Sequence, residues 1–335
     1  VSVLYTDPAW LVSDGALRLA GFDEVERPVL GPVELRVGPF SEGSFRPSGP
    51  ALLAGLAGVE VLVIYRCQVS GELLDAAGPG LKAVIRQGVG TDNLAVELLA
   101  ERGIAGYHVP DYCVDEVATH TSALALALER GLIAQHRTLT AGRFDIYAGG
   151  VPRRVGVRTL GIVGFGRIGR AVARKLGVQY GRILAFDPYL GRDLPTGYGA
   201  QPVDSLDELL AEADLVTLHC PLTSETTGLI GIEQLRTMRS DGYLVNAARG
   251  QLIPPAALAR ALAEDQLAGA ALDVFAPENP HDDPAWAPVL ADPRVLVTCH
   301  RAFLSADAEH SSRRRVAELV RDVLAGRPSG IGRLT

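Results

Sequence analysis

Three charged or titratable side chains stand at strand ends where apolar packing would otherwise be expected. Arg249 follows Val245-Asn-Ala-Ala, Glu278 follows Asp273-Val-Phe-Ala-Pro, and His300 follows Val297-Thr-Cys. Each lies just beyond the carboxyl end of a predicted strand, the side on which open α/β sheets hold their ligands. The three side-chain types make a coherent set. An imidazole takes or gives a proton near neutral pH, and a carboxylate on its other nitrogen fixes the tautomer. A guanidinium grips a carboxylate through charge-assisted, often bidentate, hydrogen bonds. Taken singly, each residue has a plainer reading: a hydrogen-bonded surface histidine, an arginine closing a strand loop, a solvated turn acid. Their coincidence on successive strands favours a site.

The element that must serve this site is the stretch Thr159-Leu-Gly-Ile-Val-Gly-Phe-Gly-Arg-Ile-Gly169, followed by Arg170-Ala-Val-Ala-Arg-Lys-Leu-Gly177. It predicts a buried strand, a glycine turn and a helix start. The glycines fall as Gly164-x-Gly166-x-x-Gly169, and a second apolar run, Ile183-Leu-Ala-Phe186, ends in Asp187. That is the dinucleotide-binding fingerprint in its full context. Gly164 permits the tight turn, Gly166 admits the pyrophosphate to the backbone, and Gly169 lets helix and strand pack closely. The helix N-terminus then offers unpaired N–H groups to phosphate. Asp187 is placed to accept from the adenosine ribose hydroxyls and would repel a 2′-phosphate, so NAD is favoured over NADP. A nicotinamide cofactor beside a proton-transferring group and a cation meets the needs of hydride transfer to or from an alcohol carbon.

The fingerprint sits mid-chain, so a complete α/β domain precedes it. Val3-Leu-Tyr, Val61 to Tyr65, Ala83 to Ile85 and Ile104 to Tyr107 are predicted strands, with helical stretches between them. That rhythm implies a parallel sheet, because parallel strands need crossover helices. The segment from Glu24 to Pro50 has no clear period and reads as a loop excursion. A long helix is expected from Asp115 to Arg137. After the fingerprint, strands are expected at Leu215 to Leu218, Gly242 to Asn246, Gly269 to Asp273 and Val295 to Thr298. A last helix, from about Ser305 to Ala325, is too small to fold alone and should return to the first domain. Its Arg313-Arg-Arg315 run reads as a solvated helix face. Chain crossings near Tyr107 to Pro110 and Cys299 to Leu304 would act as a hinge beside an interdomain cleft.

Bulk properties narrow the class. The chain has 335 residues, is 47% hydrophobic and 21% charged, and carries a formal net charge of −7. That balance disfavours nucleic acid as a partner. No apolar run reaches membrane-spanning length, so no membrane partner is expected. The first residues lack the pattern of a signal peptide, and a cytoplasmic location is expected. Cys67, Cys113, Cys220 and Cys299 are widely separated, which suits reduced thiols and no metal site.

Beyond these features, Asn246-Ala-Ala-Arg-Gly250, Gly269-Ala-Ala-Leu-Asp-Val-Phe-Ala-Pro-Glu278 and Thr298-Cys-His300 resemble the D-isomer-specific 2-hydroxyacid dehydrogenases. So do Gly88-Val-Gly-Thr-Asp-Asn93, Val109-Pro110, Glu116-Val-Ala118 and Leu218-His-Cys-Pro-Leu-Thr223. The resemblance covers nearly everything from Val59 onward. Val109 to Ala118 is most similar to the C-terminal-binding-protein branch, which includes NAD-gated corepressors as well as bacterial enzymes. The resemblance implies two Rossmann-like or flavodoxin-like domains with parallel sheets. A substrate-binding domain would take residues 1–107 plus 302–335, an NAD-binding domain would take 108–301, and cofactor and substrate would meet in the cleft. It further implies a homodimer formed through the nucleotide domain, with the Asp115 to Arg137 helix, apolar on more than one face, as the interface.

Residue by residue, the resemblance makes His300 the acid–base group and Glu278 its partner. Arg249, Arg66 and the amides of Val89 and Gly90 would hold the carboxylate of a small 2-oxo or D-2-hydroxy acid. Asp273 and the Ala248 carbonyl would hold the nicotinamide carboxamide. His219, Cys220 and Pro221 would line the adenosine side, and Arg167 with the Ile168 amide would meet the pyrophosphate. Two departures stand out: Cys299 and Arg301 flank His300, where most relatives carry proline before it and a small or apolar residue after it. An Arg301 turned inward would favour a doubly charged substrate, whereas one turned outward would pair with a surface carboxylate. Glu278 stands where formate enzymes carry glutamine, which disfavours that reaction. A phosphite-type dehydrogenase and a non-enzymatic NAD-sensing scaffold are the alternatives.

Overall fold

The computed structural model describes residues 2–327, 329–330 and 332–335. The chain divides into two units, Val1–Tyr112 with Ser305–Thr335, and Cys113–Leu304. The boundaries expected from sequence lay slightly earlier on both crossings. His108 donates its amide to the Gly332 carbonyl, Val109 donates to Gly88, and Val109 is buried in the first unit's core, so 108–112 stay with that unit. Conversely, the Ala302 amide donates to Asp273, which keeps 302–304 with the second.

The first unit is built on a five-stranded parallel sheet. Its order is Glu34–Val37, Ser2–Tyr5, Val61–Ile64, Ala83–Arg86, Ala105–His108. Ser2–Tyr5 and Val61–Ile64 are buried throughout, as parallel strands covered on both faces must be. One face carries Leu52, Leu62, Leu73, Leu74 and Leu99. The other is covered by the final helix, Ala306–Leu324, whose Val316, Ala317 and Val320 pack with Val3, Val61 and Ile85. Ser305 caps that helix by accepting from the Ala308 amide at 2.9 Å.

Two expectations for this unit need correction. The Glu24 to Pro50 excursion contains a helix, Glu26–Leu30, and the edge strand Glu34–Val37, followed by a small hairpin pairing Phe40–Ser41 with Ser44–Phe45. A four-residue edge strand with only partly covered side chains gives no strong hydrophobic signal. Arg313 does not belong to a solvated face. It is 5% exposed, donates to both carboxylate oxygens of the buried Glu26 at 3.0 and 2.8 Å, and lies over the Trp10 ring. Its neighbours Arg314 and Arg315 do lie on the outer side and pair with Glu318 and Asp111.

The second unit carries a seven-stranded parallel sheet ordered Ala200–Pro202, Arg182–Phe186, Thr159–Val163, Leu215–Leu218, Tyr243–Asn246, Gly269–Leu272, Val295–Val297. The strand order reverses at Thr159–Val163, the topological switch point where such sheets hold ligands. The helices Val114–Glu129 and Arg167–Lys175 share one core with Leu160, Ile162, Phe165 and Val245. The helices Leu206–Glu212, Ile232–Thr237 and Pro255–Ala263 cover the other face.

The single helix expected from Asp115 to Arg137 is two, Val114–Glu129 and Leu132–Thr140. Gly131 between them has φ 61°, the left-handed region glycine enters without a Cβ penalty. Ala118, Leu124, Ala125 and Leu128 of the first helix are buried in the unit's own core, which accounts for its apolar faces. Among the described residues, no helix is long and apolar enough to cross a membrane.

Candidate active site

The glycine turn is shaped for a dinucleotide. Gly164 has φ 87°, and a Cβ there would lie 2.6 Å from the Cys220 amide nitrogen. A Cβ on Gly169 would overlap the Gly164 carbonyl oxygen, so the helix can approach the strand only without one. Gly166, by contrast, faces open space. It precedes the helix Arg167–Lys175, whose start has no side-chain cap, leaving the Arg167 and Ile168 amides to an incoming anion. Asp187 accepts from the Phe165 amide through one oxygen at 2.9 Å and from Tyr189 through the other at 3.0 Å. Each oxygen keeps a lone pair for a ribose hydroxyl. These residues fit NAD. Because Gly166 has space and Gly169 has none, two substitutions should separate. Gly166→Val should leave the unfolding midpoint near that of the parent while weakening NADH binding about tenfold or more by titration. Gly169→Val should lower both. Unchanged NADH affinity in Gly166→Val would remove the turn from the cofactor site.

On the next strand loop, the His219 side chain bonds Thr217 at 3.0 Å, and burial pushes its pKa down to about 3. It is therefore neutral at pH 7. Burial, reinforced by the charge of Asp187, pushes the Cys220 thiol up to about 11, so it packs as a protonated thiol. Pro221, the third residue expected here, is exposed, and its carbonyl accepts from Thr226 at 2.7 Å.

The three residues of the chemical site come from adjacent strands of this sheet. After Tyr243–Asn246, the buried Asn246 side chain accepts from the Ala248 amide at 3.0 Å and donates to the Arg249 carbonyl at 2.9 Å. That clamp sets the loop from which half-buried Arg249 projects. Arg249 Nη1 donates to the Ala248 carbonyl at 2.8 Å, so this carbonyl, expected to serve nicotinamide, already has one partner. A Cβ on Gly250 would overlap the backbone of Phe275, so the Arg249 loop rests directly on the segment leading to Glu278. Trp286 supports that segment by donating to the Ala276 carbonyl at 3.0 Å. His300 Nδ1 and Glu278 Oε1 are 2.7 Å apart. His300 has φ 48°, a left-handed conformation that costs a non-glycine residue about 1 kcal/mol or more.

The Asp273 side chain has no exposed surface, and protein donors surround its carboxylate. Oδ1 accepts from the Thr298 hydroxyl at 2.5 Å and the Arg301 amide at 3.0 Å, and Oδ2 accepts from the Ala302 amide at 2.9 Å. Burial alone would raise its pKa, but hydrogen bonds from His120, Thr298 and the two amides outweigh it and hold the carboxyl below its ordinary value. Asp273 is thus an anion that anchors the His300 turn. Arg301 is exposed and pairs with no carboxylate among the described residues, which removes the surface ion pair expected for an outward Arg301. Cys299 is exposed as well.

In the first unit, Arg66 is exposed, and its guanidinium lies 5.6 Å from the Tyr65 ring centroid. Buried Asp7 fixes the turn beneath it by accepting from the amides of Tyr65 at 3.1 Å and Arg66 at 2.8 Å. The Val89 carbonyl is held by the His108 ring at 2.7 Å, and among the described residues the Val89 and Gly90 amides donate to no backbone carbonyl. Sequence reasoning missed Arg86, which ends a strand two residues before this loop. Its guanidinium occupies the space a Gly88 side chain would need and lies 5.5 Å from the Tyr65 ring centroid. Among the described residues, no group of three His, Cys, Asp or Glu is placed to hold a metal ion.

Residues 122–302, more than half of the chain, match the family model described as D-isomer specific 2-hydroxyacid dehydrogenase, NAD binding domain. The chain belongs to this family. It is 34% identical over 331 residues to D-3-phosphoglycerate dehydrogenase of Methanocaldococcus jannaschii, covering 97% of this chain and 58% of that one. It is 36% identical over 292 residues to glyoxylate reductase of Korarchaeum cryptofilum, covering 83% of this chain and 82% of that one. A solved structure of D-lactate dehydrogenase from Aquifex aeolicus, complexed with NAD and lactic acid, superposes with a TM-score of 0.84 at 26% identity, covering 97% and 96% of the two chains. The chain spans about half the length of the phosphoglycerate dehydrogenases it matches, 58% in the first of them. Like the dehydrogenases of its family, it combines an NAD-binding domain with a second α/β unit on a parallel sheet.

Proposed function

We propose that this chain transfers a hydride between nicotinamide and a small anionic 2-oxo or D-2-hydroxy acid, with His300 as the acid–base group. The observation that carries the reading is the 2.7 Å contact of His300 Nδ1 with Glu278, in the same unit as the glycine turn. Glu278 as acceptor places a proton on Nδ1, which leaves Nε2 to exchange the substrate's proton. NADH, when bound, supplies the hydride that reaches the carbonyl carbon. His300 Nε2 delivers a proton to the carbonyl oxygen as it becomes a hydroxyl, and in the reverse direction it takes that proton back. Arg249 grips the substrate carboxylate and polarises the neighbouring carbonyl. Arg66 and the amides of Val89 and Gly90 are proposed to add further donors for the same acid. The free thiols support a reducing compartment such as the cytoplasm.

The test is NADH oxidation against glyoxylate, pyruvate, hydroxypyruvate, oxaloacetate and phosphonopyruvate. Turnover with one or more of these is expected, and a preference for the dianions would assign a binding role to Arg301. NADH binding without turnover across the panel would favour the NAD-sensing scaffold.

We further propose that a second copy of the chain covers the segment after Gly131. Phe144 is 86%, Val151 78% and Ile146 67% exposed there, with Leu139 and Tyr147 also outward, apolar side chains that a second copy would take out of water. Light scattering should give twice the chain mass, and Phe144→Asp with Ile146→Asp should halve it. A monomeric parent protein would contradict this assignment.

A further inference from the structure

The turn that presents His300 is wrapped around one buried carboxylate. Thr298 donates its hydroxyl to Asp273, Arg301 and Ala302 donate their amides to it, and the His300 amide donates to the Asp273 carbonyl at 2.7 Å. A threonine hydroxyl has a single proton, and here Asp273 receives it. The Thr298 oxygen must therefore accept from its other neighbour, His120 Nε2, at 3.1 Å. The same nitrogen lies 3.5 Å from Asp273 Oδ1. His120 stands on the helix Val114–Glu129, so a rigid helix reaches the acid–base histidine through a hydroxyl and a carboxylate. Conformational preference does not by itself hold His300 there, because its φ of 48° is unfavourable for a residue with a Cβ.

We propose that His120 and Thr298 are positioning residues for His300, acting through the Asp273 carboxylate to fix the 298–302 turn. This rests on the reading of His300 as the acid–base group. Losing the Thr298 hydroxyl leaves Asp273 Oδ1 short of a donor and His120 Nε2 with only its 3.5 Å contact to that same oxygen, although the volume is retained in valine. A displaced turn moves the imidazole relative to the carbonyl oxygen, which lowers turnover without altering cofactor affinity.

The experiment uses Thr298→Val with Thr298→Ser as the rescue, and His120→Leu with His120→Gln, whose amide can replace the Nε2 donor. Two readouts are taken from each full-length variant. The first is the ring-proton NMR signal of His300 in the cofactor-free protein, assigned by its loss in His300→Ala. The second is kcat alongside the NADH Kd. Thr298→Val and His120→Leu should shift the His300 signal and lower kcat roughly tenfold to a hundredfold at unchanged NADH Kd, with serine and glutamine restoring both. An unshifted signal, or equal loss in the rescue variants, would overturn the proposal. Should Thr298→Val fail to fold, the His120 pair carries the same comparison. If the parent protein turns over no 2-oxo acid, the functional reading fails, while the NMR comparison still decides the positioning role.

Discussion

His300→Ala is expected to lower kcat about 10³-fold while leaving NADH affinity within about twofold of the parent value. The separation follows from the architecture. The glycine turn, Asp187 and the amides of Arg167 and Ile168 lie on the strand and helix Thr159–Lys175 and its neighbour, whereas His300 stands beyond the edge strand Val295–Val297, four strands along the sheet from Thr159–Val163. The alanine variant keeps the backbone bonds of the turn to Asp273, so the effect reports the imidazole and not a collapsed loop. Glu278→Gln should give a smaller loss, because an amide can still accept from Nδ1 but no longer supplies a charge. Stopped-flow or steady-state rates with NADH titrations check both variants. A His300→Ala protein with kcat near the parent value would place the proton transfer elsewhere.

The second large effect is expected at Arg249. Arg249→Gln should reduce kcat/KM for a 2-oxo acid by about 10²–10³-fold, equivalent to about 3–4 kcal/mol of transition-state stabilisation. Arg249→Lys keeps the charge but lacks the planar fork, and it should recover only part of the loss. The Asn246 clamp and the contact of Gly250 with Phe275 hold the loop through backbone atoms, so neither substitution should unfold it. The diagnostic is selectivity among ligands: binding of the 2-oxo acid should suffer while NADH binding is unchanged. Equal weakening of NADH would reassign Arg249 to the cofactor, and the Ala248 carbonyl it contacts would be the place to look next.

Local chemistry was legible in the sequence, and long-range burial was not. The glycine turn could be read because Gly164 and Gly169 each answer a nearby steric demand and Gly166 leaves space for a ligand, set within a strand and helix that the same eleven residues encode. Arg249, Glu278 and His300 could be named because each interrupts an apolar run at a strand end. The environment of Asp273 could not be inferred in this way. Its donors include His120 on a helix whose partner Thr298 is 178 positions away, and nothing in either local pattern specifies that pairing. Arg313 was misread for the same reason, since its carboxylate partner Glu26 is 287 positions distant. The strand Glu34–Val37 was missed because an edge position leaves its side chains only partly covered and weakens the alternation on which strand reading depends. Likewise, a single glycine at 131 divided a helix whose hydrophobic pattern ran on through the break.

Hydride transfer between the cofactor and the α-carbon of a small acid is tested with NADH deuterated at C4 of the nicotinamide, one face at a time, and the best 2-oxo acid from the panel. Deuterium from one face only should appear at C2 of the product, and that product should be the D-2-hydroxy acid. Cofactor consumed without deuterium at C2, or an L-configured product, would contradict it.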